Sequence, residues 1–109
     1  MSDYYDPSAN WSLIPPHMRP GVERYVMLGI PPGDFLRAVL RNDMMEALGR
    51  ADEDNLAAMR GYAQFLYGYT PHGCYGSPEA YKRWVEQGGL RGIAGAVVAT
   101  LGADEANPQ

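Results

Sequence analysis

Cysteine is nearly missing from this 109-residue chain. Cys74 stands alone, so no disulfide forms within the chain, and an oxidising compartment gains no support. Lysine is as scarce, with Lys82 the only one. No apolar run approaches the roughly 20 residues that a membrane-spanning helix needs. The opening "MSDYYDPSANW" is too acidic and polar for a secretion signal. Basic charge is also short: 9 Lys and Arg against 13 Asp and Glu leave a net charge of −4. With a pI near 5.0 there is no basic footprint to displace counterions from nucleic acid, and the charge is too small for a DNA mimic. These absences predict a cytoplasmic chain with no membrane and no direct nucleic-acid partner.

What is present is an ordinary apolar fraction of 46%, in a length that suits one domain with a modest core. The cationic side chains are almost all arginine, beside eight tyrosines. A GC-rich genome accounts for that bias without function. Planar Arg forks and Tyr rings also suit recognition of carboxylates, phosphates or partner surfaces.

Residues 1–18 hold Pro7, Pro15 and Pro16 and show no helical period. They are predicted to form an extended arm, with Trp11, Leu13 and Ile14 pinned against a helical domain spanning 19–101. Residues 102–109 are predicted to be a flexible tail. Within the domain, Pro20 opens a short helix with the stripe Val22, Tyr25 and Val26, and Gly29 stops it. "IPPG" makes a tight connection. A second helix is predicted from Pro32 or Asp34 to Leu48. A third, N-capped by Asp52, carries the face Leu56, Met59, Tyr62, Ala63, Leu66 and Tyr69 and ends at Pro71. Phe65 lies off that face, which predicts contact on two sides. Ser77, Pro78 and Gly88-Gly89 bracket a fourth helix that buries Tyr81, Trp84 and Val85. The six residues of "AVVATL" fit a helical turn or a short strand equally. The expected fold is all-α: a compact bundle of about four short helices.

Asn42 and Asp43 sit side by side in the predicted second helix, although both compete for nearby backbone groups and are poor helix-interior residues. Phe35, Leu36, Val39, Leu40, Met44, Ala47 and Leu48 form one apolar arc on a wheel of roughly 100° per residue, and Asp43 falls inside it. A carboxylate on a buried face needs a partner. The arc therefore predicts that the helix continues through the pair and that Asp43 meets Arg24, Arg50 or another helix's N-terminus. Alternatively the stripe is part-buried and lines a groove or dimer seam, where Asn42, Asp43, Glu46 and Arg50 offer polar contacts. A catalytic carboxylate lacks a second acid–base group nearby.

His17, His72 and Cys74 do not make the paired spacing of a zinc site, and are expected to be exposed turn residues. "GCYG" shows no thiolate-stabilising helix start. "GIPPGD" reads as a turn, because its prolines remove the donors that cradle anions; the N–H groups after Gly33 leave room for a weak anion site. Tyr62, Tyr67, Tyr69, Tyr75, Tyr81 and Trp84 read as core and edge residues, or as an aromatic interaction surface.

From Ile14 to Val85 the chain resembles a group of short uncharacterised phage and prophage accessory proteins. The resemblance is carried by Ile14, Pro15, His17, Arg19, Gly21, Tyr25, Gly29, Phe35, Asn42, Asp43, Arg50, Ala51, Asp52, Gly76, Ser77 and Trp84. The chain departs from that pattern in having Cys74-Tyr75 before Gly-Ser-Pro, where the group carries a tryptophan. The resemblance implies phage origin and an accessory role in the host cytoplasm, and it brings no catalytic residue. Three functions follow as expectations. The first is a non-enzymatic binding protein, without cofactor or metal, that sequesters a small nucleotide-like signal or occludes a host protein, with homo-oligomerisation open. Its candidate contact residues are Arg24, Tyr25, Asn42, Asp43, Glu46, Arg50, Tyr62 and Trp84. The second is a minor structural protein of the virion, and the third a small enzyme using Asp43 or Glu46. A nucleotide predicts a pocket lined by Arg and Tyr, whereas a protein partner predicts an exposed apolar or charged patch.

Overall fold

In the computed structural model, which describes residues 9–92, six α-helices follow one another without an intervening strand among those residues. They are α1 (Arg19–Leu28), α2 (Asp34–Leu40), α3 (Met44–Arg50), α4 (Glu53–Ala57), α5 (Met59–Tyr69) and α6 (Pro78–Gln87). Helical backbone resumes at 89–92, and single turns of 3-10 helix lie at Trp11–Leu13, Pro16–Met18 and His72–Cys74. The all-α class thus stands, but the count of four helices does not. The predicted second and third helices are each two helices. The "AVVATL" stretch and the predicted tail lie outside the described residues.

The first split is at the Asn-Asp pair. Asn42 takes φ +61°, the left-handed conformation that stops helices and that asparagine tolerates better than most residues. The Asp43 amide bonds back to the Ala38 carbonyl at 2.9 Å and the Asn42 amide to that of Val39 at 3.0 Å. Those two bonds close a Schellman stop. Asp43 then becomes the N-cap of α3, its carboxylate accepting from the Glu46 amide at 3.2 Å. One dipeptide therefore ends a helix and starts the next, and the expectation that α2 continues through it is wrong. α3 folds back beside α2 and buries Ala47, while Met44 and Leu48 of the predicted arc are left exposed. Arg50, in the last turn of α3, reaches Asp34 at the start of α2 at 3.3 Å.

The second split is gentler. Ala58 separates α4 from α5, its amide shared between the Asp54 and Asn55 carbonyls at 3.1 Å each. Asp52 caps α4 through the Asn55 amide at 2.7 Å, as its position in the sequence suggests. Asn55 is buried, and its side-chain oxygen accepts the Tyr62 hydroxyl at 2.7 Å, which ties the single turn of α4 to α5.

Residues 9–18 are wound into two turns and packed down instead of extended. Ile14 is fully buried, and the Trp11 ring lies 4.6 Å from that of Phe65. A Cβ at Gly61 would collide with the Leu13 carbonyl, so glycine is what lets this segment cross α5. Phe65 is thereby sealed on the side of α5 away from Ala63 and Tyr67, the two-sided contact expected for this helix.

α1 and α6 lock together at their C-terminal ends. Gly29 (φ +69°) ends α1, and a Cβ there would sit 2.8 Å from both the Gly89 nitrogen and the Trp84 carbonyl oxygen. The Trp84 indole donates to the Tyr25 and Val26 carbonyls at 3.0 and 3.2 Å, tying α6 to the last turn of α1, where the Tyr25 carbonyl also accepts the Gly29 amide at 2.8 Å. Tyr25 stacks on Tyr81 and donates its hydroxyl to the Cys74 carbonyl at 2.7 Å. Ser77 caps α6 through the Ala80 amide at 3.0 Å, with Pro78 in the first turn and Gly88 (φ +81°) at the stop.

Candidate functional site

Two apolar stripes that the sequence presents as core faces do not close on one another. Val39, Met44 and Ala47 come from the α2–α3 hairpin, and Met59, Tyr62, Ala63 and Leu66 from α5. Between them lies a cavity of about 500 Å³, completed by Asn42, Asp43, Tyr67 and Tyr75. That volume is in the range of ordinary ligand sites, and the wall is mostly apolar with a few polar groups at one edge. Its mouth is unusual for a solvated surface. Met44 is 62% exposed and Tyr67 75% exposed, while Leu48, one turn beyond Met44, is exposed as well.

The polar edge belongs to the elbow between α2 and α3. Among the described residues, Asp43 is the one charged residue lining the cavity, and no Lys or Arg lines it. Tyr62 forms the floor but turns its hydroxyl away to Asn55, and burial pushes that phenol well above its usual range. It therefore presents a neutral ring to the cavity.

Of the residues singled out from the sequence, Asn42, Asp43 and Tyr62 meet here. The others do not. Arg24 is exposed on α1. Tyr25 and Trp84 are core residues whose polar atoms are spent on backbone carbonyls. Glu46 and Arg50 pair with each other at 2.9 Å on the exposed side of α3. Arg50 also reaches Asp34, so neither it nor Arg24 is the partner that the buried-face reading assigned to Asp43. That carboxylate is exposed and caps a helix. The residues that sequence reasoning did not nominate, Val39, Met44, Ala47, Met59, Ala63, Leu66, Tyr67 and Tyr75, were nearly all visible in the two stripes and the tyrosine cluster. What could not be seen was the gap between the stripes.

Other chemistry finds no support in the geometry. Cys74 is buried, contrary to the expectation of an exposed turn residue, and burial pushes its thiol up to about 11. It donates a long bond of 3.4 Å to Thr70 Oγ1, and Thr70 in turn donates to the Leu66 carbonyl at 2.7 Å, so the thiol is structural. His17 is 3.3 Å from Asp52 on the surface and His72 packs beside Tyr67. Among the described residues, no three His, Cys, Asp or Glu side chains gather as a metal site. The start of α2, where the sequence leaves room for a weak anion site, already carries Asp34, whose carboxylate holds Arg37 at 2.7 Å. No protein-family model matches the chain, no curated protein is significantly similar to it in sequence, and no solved structure is significantly similar to it in fold.

Proposed function

We propose that this chain is a small non-enzymatic binding module and that the groove between the α2–α3 hairpin and α5 is its working surface. The observation that carries the reading is the open, mostly apolar cavity of about 500 Å³ with Met44 and Tyr67 exposed at its mouth. Large apolar side chains left in water around a concave site mark a place where something docks. Methionine and tyrosine suit that use, because one adapts its shape and the other is rigid and amphipathic.

The groove favours a protein partner over a nucleotide. An anionic ligand calls for cations in the lining, and Asp43 stands there instead. The resemblance to phage accessory proteins supplies the setting: occlusion of a host protein in the host cytoplasm.

The test is co-purification from host cells followed by native mass spectrometry, comparing the wild-type chain with Ala63→Trp. Ala63 is exposed on α5 and lines the cavity, so the indole fills the groove without disturbing the core. A host protein identified with the wild-type chain should be lost from a folded Ala63→Trp variant. Retention of that partner, a nucleotide-sized mass instead, or assembly into multimers of the chain alone would each overturn the reading.

A further inference from the structure

We infer that the partner segment is an amphipathic one that sets an apolar anchor into the cavity and a Lys or Arg against Asp43. This deepens the proposed docking function and rests on it. The argument is charge complementarity, and it comes from how unevenly the neighbouring carboxylates are used. Asp34 holds Arg37 and Arg50, Glu46 holds Arg50, and Asp52 lies against His17. Asp43 has no ion pair among the described residues. Its recorded contact is one backbone bond, from Oδ1 to the Glu46 amide, which leaves Oδ2 without a partner.

The position of Asp43 makes the free oxygen selective. Among the described residues it is the only charge on a wall otherwise built from apolar and neutral side chains, so a partner cation arriving there is partly shielded from water. An acidic side chain in the same place meets uncompensated repulsion, which excludes partners more strongly than it rewards the right one. The apolar volume supplies affinity, and Asp43 chooses orientation and sign.

The experiment selects binders from a random 16-residue peptide library displayed on beads, using the full wild-type chain, with Ala63→Trp as the counter-selection. Asp43→Asn is the diagnostic variant, because asparagine caps a helix as well as aspartate and so removes the charge while keeping the elbow. Groove-dependent peptides should carry a basic residue at a fixed spacing from an apolar anchor. Changing that residue to Glu should weaken binding to the wild-type chain by about tenfold and to Asp43→Asn by less than twofold. Groove-dependent peptides with no basic preference, or a preference that survives Asp43→Asn, overturn the inference and leave the docking surface standing. If no selected peptide depends on the groove, the docking function itself fails and takes the inference with it.

Discussion

The two sides of α5 carry similar residues and meet different fates. On one side Phe65 is covered by Trp11, while Leu13 crosses directly over Gly61, and nothing of the ring reaches solvent. On the other, Tyr62 and Leu66 are buried, but Ala63 and Tyr67 open onto the groove. The difference lies in the backbone. Glycine admits a chain segment to contact on the first side, whereas the α2–α3 hairpin turns at Asn42 and leaves a space on the second. The apolar surface of one helix is thus divided between holding the fold together and meeting something outside it.

The largest expected effect breaks the sealed side. Phe65→Ala removes a fully buried ring and should destabilise the chain by about 3–5 kcal/mol in urea denaturation. A loss under about 1 kcal/mol would mean that the N-terminal segment does not cover α5 as described.

A second, smaller effect comes from the buried network between α1, α6 and the 72–74 turn. Burial raises the Cys74 thiol from an ordinary value of 9.0 to about 11, and it raises the Tyr25 phenol further still. Both groups are acids that the fold keeps protonated, so the unfolded chain binds fewer protons than the folded one as pH rises above 9. Stability is therefore complete below about pH 9 and lost progressively towards pH 11. For the thiol alone the loss is roughly 2–3 kcal/mol. Denaturation at a series of pH values should show that slope, and Cys74→Ala should flatten it while lowering stability near neutral pH. An equal slope in the variant would place the alkaline sensitivity elsewhere.

These contrasts show what was legible in the sequence. Helix ends fixed by one side chain and its neighbour in sequence were readable: Asp52, the Ser77-Pro78 pair, Gly29 and Gly88 act locally. Trp11, Leu13 and Ile14 were readable as anchors because large apolar groups beside prolines have nowhere else to go. The Asn42-Asp43 break was hidden by periodicity. On the wheel of one helix Met44, Ala47 and Leu48 share an arc with Val39 and Leu40, but in the α2–α3 hairpin Ala47 alone of those three is buried. The composition of the pair was the better signal, and the arc outweighed it. The groove could not be read at all as a space, since the distance between two stripes is set by the angle of the elbow. Five residues direct the chain at these helix ends: Gly29 and Asn42 are left-handed stops, and Asp43, Asp52 and Ser77 are caps. The path of the chain follows from them, and the groove follows from that path.

The elbow is also where the comparison is sharpened by the smallest change. Asn42 holds φ +61° with its side chain in water, so substitution alters the backbone preference and little else. Asn42→Ala should cost about 1 kcal/mol, because a Cβ without a hydrogen-bonding side chain disfavours the left-handed region. Asn42→Gly should be neutral or slightly stabilising, since glycine is the preferred residue at this position of a Schellman stop. Thermal melts would resolve the pair, with a separation of roughly 4–8 °C per kcal/mol at this size. A higher melting temperature for Asn42→Ala than for Asn42→Gly would mean that α2 and α3 are one helix after all, because a helix interior favours alanine over glycine by about 1 kcal/mol.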